Sequence, residues 1–221
     1  MLMKIAGRIR GLFAENYVEA REDVQIVLNS RGDQSVAHGL PMLTELVRLG
    51  GSYQVANVTG QAALTALPTT VAGLTLWNGE AAIGRCYAID SFGSWEAVVD
   101  ATQTDVTAIF ACNNRTPVTA PTDAALAVRS LSGKSGYGGK ARTVAGGTIV
   151  NDGWFAHGTN GQMAAAAAGA NWKVNEVNCQ GLYLVPPGGA FNVQAVKAAA
   201  AAAAQQFFFI RWHEVQLVFA V

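Results

Sequence analysis

The sequence predicts an all-β fold: an antiparallel jelly-roll β-sandwich preceded by an N-terminal extended or short-helical arm. Three observations carry that prediction. After residue 50 the chain runs as about eight to ten short apolar stretches, with turn residues roughly every 8–15 positions and no helical period between them. Hydrophobic residues make up 51% of the 221 and charged residues only 14%, against about 25% charge in an ordinary soluble domain. The chain also closes on Phe207-Phe208-Phe209-Ile210-Arg211-Trp212-His213-Glu214-Val215-Gln216-Leu217-Val218-Phe219-Ala220-Val221. An exposed strand edge of that kind templates aggregation, so the fold or another subunit must cover it.

The first quarter, residues 1–50, reads as a separate arm. It opens on a mildly basic, amphipathic stretch in which Lys4, Arg8 and Arg10 interrupt the apolar run that a secretory leader needs. Residues 15–23 are acidic and helix-compatible, and residues 24–28 suit a short strand. Leu40-Pro41-Met42-Leu43-Thr44-Glu45-Leu46-Val47-Arg48-Leu49-Gly50 predicts a short helix, with Pro41 at an early position and Gly50 placed to end it.

Residues 51–221 form the sandwich domain. Residues 52–59 alternate, with Tyr53, Val55 and Val58 on the apolar side. Residues 72–77 run into Asn78-Gly79, a tight-turn dipeptide. Strands follow at 85–92 and 95–99, then at 105–112, which Asn113-Asn114 and Pro117 end. Residues 125–131 lead into the glycine-rich loop 133–139; strands at 142–144 and 148–150 precede 153–158. Residues 182–185 and 190–193 flank Pro186-Pro187-Gly188-Gly189, and residues 207–217 supply an inner strand, with Trp212 and Val215 or their neighbours turned inward. The alanine runs 163–168 and 198–204 favour helix intrinsically but are too short to hold one alone.

Composition excludes several classes of function. Fifteen basic and fifteen acidic side chains cancel, so no field draws nucleic acid or an anionic membrane. No apolar run reaches the length of about 18 residues that a membrane span requires. Cys86, Cys112 and Cys179 are too scattered for a zinc site or disulfide framework and read as buried apolar residues.

His38, His157 and His213 stand alone, and Glu214 beside His213 would point to the opposite face of a strand, so that pair cannot hold one metal ion. Gly133-Lys134-Ser135 lacks the earlier glycine of a phosphate-binding loop, position 128 being Val128. Arg31-Gly32-Asp33 and the acceptor patterns at Asn57 and Asn114 carry little weight as adhesion or glycosylation signals. Glu80, Asp90, Glu96, Asp100 and Asp105 lie on neighbouring strands, where two could face each other as a glycosidase pair; solvated strand ends are the plainer reading. Trp77, Trp95, Trp154, Trp172 and Trp212 suit sugar stacking, but more commonly fill a core or an interface. The sequence therefore predicts no catalytic, metal or cofactor residue and no enzyme.

Residues 41–50 (Pro-x-x-x-Glu-Leu-x-Arg-Leu-Gly), Leu74-Thr75-Leu76-Trp77-Asn78-Gly79-Glu80, Pro186-Pro187-Gly188-Gly189 and Trp212-His213-Glu214-Val215-Gln216-Leu217 resemble segments of the jelly-roll decoration, or cement, proteins of tailed-bacteriophage capsids. That resemblance implies a structural virion protein on the capsid exterior, assembled in the host cytoplasm. Its implied partners are the major capsid protein and further copies of itself, as a homotrimer, with no nucleic acid and no membrane. The alternative within the virion is a tail or head-fibre attachment protein that binds host glycan. The apolar end, 218–221, and the arm are then expected at a subunit interface.

Overall fold

The computed structural model describes residues 46–62, 64–81, 84–98, 106–114, 120–122, 124–133, 136–147, 153–161, 172–197 and 204–216. The chain divides into two units, Met1–Leu43 and Thr44–Val221. The described residues belong to the second, so the expectations for residues 1–45, 163–168, 198–203 and 217–221 lie outside them.

Among the described residues the fold is an antiparallel β-sandwich, as the sequence predicts. Residues 46–48 form one helical turn, which Gly50 ends at φ 81°. The strands are β1 (Ser52–Ala56), β2 (Gln61–Ala62), β3 (Leu74–Asn78), β4 (Arg85–Val98), β5 (Val106–Asn114), β6 (Arg129–Ser130), β7 (Ala141–Ala145), β8 (Phe155–Gly161), β9 (Trp172–Val185), β10 (Ala190–Lys197) and β11 (Ala204–Gln216). One sheet runs β6-β1-β11-β4-β9, with β2 also paired to β11; the other runs β7-β3-β10-β5-β8. The long strands pair in nested order: β1 with β11, β3 with β10, β4 with β9 and β5 with β8. The short strands β6 and β7 widen the two edges.

Alternation along the strands builds the core. In β11 the side chains of Gln206, Phe208, Ile210 and Trp212 are buried, and those of Gln205, Phe207, Phe209 and Arg211 are not. Trp212 thus turns inward as expected, whereas Val215 is half-buried; three positions apart, the two cannot share a face. Phe208, Ile210 and Trp212 meet Tyr87, Ile89 and Phe92 from β4 and Leu74, Leu76, Phe191 and Val193 from the opposite sheet. Each such fully buried side chain contributes roughly 1.5–3 kcal/mol.

Several elements differ from the sequence reading. The two strands expected at 85–92 and 95–99 are one 14-residue strand, β4. Gly93 is the reason for the apparent break, since a Cβ there would run into the Asn175 carbonyl oxygen and the Phe209 ring. Asn78-Gly79 closes no hairpin, because β3 and β4 lie in different sheets. Instead the Glu80 amide donates to Asn78 Oδ1 (3.0 Å), while Asn78 Nδ2 donates to the carbonyls of Arg85 and Val185, each at 2.9 Å. Pro186-Pro187-Gly188-Gly189 also crosses between sheets. The Gly189 amide donates to the Pro186 carbonyl at 2.9 Å, and Gly188 takes φ 76° after a proline, the geometry of a type II turn. Residues 125–131 form a strand only at β6, although the Leu126 amide donates to the Thr143 carbonyl at 2.7 Å and the Leu131 amide to the Ser52 carbonyl at 3.0 Å.

A kink crosses the first sheet. Its register shifts at Asp90 in β4, at 211/212 in β11 and opposite residues 179–182 in β9, where Gln180 and Gly181 take φ 50° and 82°. Bulges of this kind re-aim the side chains beside them.

Candidate functional site

The kink assembles the first candidate site. Ser52 and His213 are register partners on β1 and β11, and Ser52 Oγ lies 2.6 Å from His213 Nδ1. On the far side of the ring His213 Nε2 lies 3.8 Å from the Asp90 carboxylate, which the β4 bulge turns toward it. Serine, imidazole and carboxylate thus stand in the order of an activated nucleophile. With Nε2 protonated and facing Asp90, Nδ1 accepts the serine proton. Ser52, however, is fully buried and His213 nearly so, so in this conformation no substrate reaches the hydroxyl. The geometry is that of a buried strut tying β1 to β11 and β4.

Burial holds the His213 imidazole below its ordinary pKa of 6.5, and the Asp90 charge only partly offsets this. The unfolded chain therefore binds a proton that the folded chain refuses. Stability is complete above the ordinary imidazole range and falls as pH drops through and below it. His213→Gln is expected to flatten this loss when urea midpoints are compared between about pH 7 and pH 5. An unchanged slope would refute the assignment.

The second cluster lies inside the sandwich and joins its sheets. Glu96 of β4 is the register partner of Gln206 on β11, and Thr107 of β5 is the partner of Lys197 on β10. The Lys197 ammonium contacts Glu96 Oε1, and Thr107 Oγ1 donates to Glu96 Oε2 at 2.7 Å. The Lys197 and Glu96 side chains are essentially unexposed. Burial alone would raise the Glu96 pKa, but hydrogen bonds from Lys197, Thr107 and Gln206 together hold it below the usual carboxylate value.

The third cluster sits beside the helical turn. Tyr137 donates to Glu214 Oε1 at 2.5 Å, and the half-exposed Arg85 pairs with Glu214 Oε2 at 3.1 Å. Tyr53 packs edge-on against Tyr137 at 4.8 Å between ring centroids and lies 5.9 Å from Trp212. Burial pushes the Tyr87 and Tyr137 hydroxyls well above their ordinary pKa.

The residues singled out from sequence separate cleanly on this frame. His213 and Glu214 diverge, as strand alternation requires: one joins Ser52 and Asp90, the other Tyr137 and Arg85. Asp90 and Glu96 each face a basic side chain, and Asp100 and Asp105 lie outside the described residues, as do Arg31-Gly32-Asp33 and His38. Gly133 and Gly136 take positive φ in a loop that Tyr137 anchors. Asn57 is buried, its Nδ2 donating to the Thr59 carbonyl at 2.7 Å, and Asn114 is fully buried, so neither presents a glycan acceptor. Trp212 is core, Trp154 donates to the Pro68 carbonyl at 3.1 Å, and Trp95 stands 42% exposed. The three cysteines are buried, with burial pushing the Cys179 thiol up to about 11. No helix is long and apolar enough to cross a membrane, and no group of three or more metal-ligating side chains occurs, both among the described residues.

Ser52 and Lys197 were missed by sequence reasoning. A lone serine and a lone lysine carry no local signal, and their partners are 161 and 101 positions away.

No family model matches the chain, and no curated protein does. Among solved structures the chain is similar to one in the cryo-EM structure of mud crab dicistrovirus, at 10% identity over 99% of this chain and 95% of that one. The TM-score is 0.19, too low to carry an argument.

Proposed function

We propose that this chain is a structural virion protein, a jelly-roll subunit that decorates a bacteriophage capsid and stabilises it by bridging major capsid protein subunits. The nested pairing of the eight long strands supports the jelly-roll reading, since folding one long hairpin back on itself produces that order. The observation that carries the functional reading is the apolar surface of the first sheet. Trp95 is exposed on β4 at one end of that sheet, and Leu182 and Leu184 are exposed on β9 toward the other; exposed apolar side chains of this size are candidate contacts for a partner. The buried Lys197, Glu96 and Glu214 side chains are committed to internal partners, as suits a rigid building block. Localisation to the capsid exterior, assembly in the host cytoplasm and association as a homotrimer belong to the same proposal.

Electron microscopy of the particle tests it, with many copies expected across the outer shell. Few copies, all at the tail, would sink the reading in favour of host attachment. Trp95→Ser with Leu182→Ser is expected to weaken binding to purified shells at least tenfold while leaving the urea midpoint nearly unchanged, because exposed positions contribute little to folding. Unchanged shell binding would exclude this face.

The attachment alternative has one observation of its own. Trp95 and Phe207 lie 6.2 Å apart between ring centroids, an aromatic platform of the kind that stacks on sugar rings. Titration with host polysaccharide would then shift tryptophan fluorescence, and Trp95→Ser would abolish the shift.

A further inference from the structure

We propose that Lys197 and Gln206 become joined, after folding, by an intramolecular amide bond, with Glu96 relaying the proton. The inference is independent of the virion reading and rests on the cluster inside the sandwich. Two cross-strand pairs face each other there: Glu96 beside Gln206 on one sheet, and Lys197 beside Thr107 on the other. Residues directly opposite on neighbouring strands have Cβ atoms about 4.5–5.5 Å apart, so the Gln206 carboxamide stands next to the carboxylate that the Lys197 ammonium contacts. Gln206 is fully buried, yet its Oε1 lacks a hydrogen-bond partner among the described residues. A buried amide carbonyl left without a donor is costly, because folding has stripped it of water. The Lys197 amine, held on the neighbouring Glu96 carboxylate in a site closed to water, supplies a reaction that removes this cost.

The step balances without any co-reactant. Glu96 accepts one proton from the Lys197 ammonium, and the freed lone pair attacks the Gln206 carbonyl carbon. The new C–N bond forms and the C–Nε2 bond breaks. Glu96 delivers its proton to the departing nitrogen and takes one from the attacking nitrogen. Ammonia leaves, and Glu96 finishes as a neutral acid, so net charge is unchanged. Thr107, donating to Oε2, holds the carboxyl in place throughout. Holding the reactants together replaces a slow bimolecular encounter, and well-oriented intramolecular reactions reach effective molarities of about 10⁵–10⁸ M. The product also leaves no opposed charges buried in the core, which are expensive to keep there.

Intact-mass spectrometry of the denatured full chain decides the matter. The expected result is a mass one ammonia below that of the sequence, with a branched peptide joining residues 197 and 206 after proteolysis. Lys197→Arg is expected to show the full sequence mass, as is Glu96→Gln, with circular dichroism confirming that each still folds. The wild-type measurement stands alone if either variant does not fold. Full sequence mass in the wild type after prolonged incubation would overturn the proposal. Loss of one water, with the branch at Glu96, would overturn the assignment of Gln206, and ammonia loss persisting in Glu96→Gln would overturn the relay.

Discussion

Lys197→Met is expected to lower folding stability by about 3–5 kcal/mol, because it strands the Glu96 carboxylate inside the sandwich without its cation. Lys197 and Glu96 come from opposite sheets, and both side chains are sealed from solvent. Thr107 still donates to Oε2, but a neutral hydroxyl does not replace an ammonium. With lysine gone, neither the ion pair nor the amide can form. Measured against the wild-type chain before the amide forms, Glu96→Leu added to Lys197→Met is expected to restore most of the loss, since apolar residues of similar volume replace buried ion pairs at little cost or with a gain. Urea denaturation of the two single variants and the double variant forms the cycle. Additive losses would show that the two side chains do not interact across the core.

Phe191→Ala is the second large effect, expected at about 3–5 kcal/mol. Phe191 is fully buried on β10, with its ring 5.3 Å from Phe92 on β4 and 5.7 Å from Tyr183 on β9, centroid to centroid. It therefore bridges the two layers at three strands. Because β10 is central in its sheet, flanked by β3 and β5, the surroundings have little freedom to collapse into the gap. Phe191→Leu, which keeps most of the volume, is expected to cost less than half as much. Thermal or urea unfolding measures both, and equal losses would mean that the ring's shape matters more than the cavity it leaves.

The sandwich and its core were legible because alternation is a local property. Residues 207–216 display it openly, and Trp212 went inward as read. Opposite orientations for His213 and Glu214 followed from strand geometry alone. The first half of β9 was not legible: Lys173, Asn175, Glu176 and Asn178 give an edge strand a polar texture that reads as loop. Gly93 split β4 on paper because close approach of β9 and Phe209 demands a residue without a side chain, and glycine also marks turns. Asn78-Gly79 misled for a related reason: the same dipeptide that closes hairpins here joins two sheets through the Asn78 side chain. The buried clusters were invisible because each depends on which strands become neighbours. Nothing around Glu96 announces Lys197, and nothing around Ser52 announces His213.

The nested pairing also constrains how this chain reaches its native state. Ser52 meets His213 across 161 positions, and β1 belongs to the same sheet as the last described strand. During synthesis β1 therefore emerges long before its partner and waits with one edge open. Folding dominated by such distant contacts is slow, on the order of milliseconds to seconds even for small β domains. The pairs closest in sequence, β5 with β8, β3 with β7 and β1 with β6, can associate early. Until β11 arrives and fills the lane between β1 and β4, the first sheet lacks its centre, and the emerging chain is most exposed to self-association or chaperone capture in that interval.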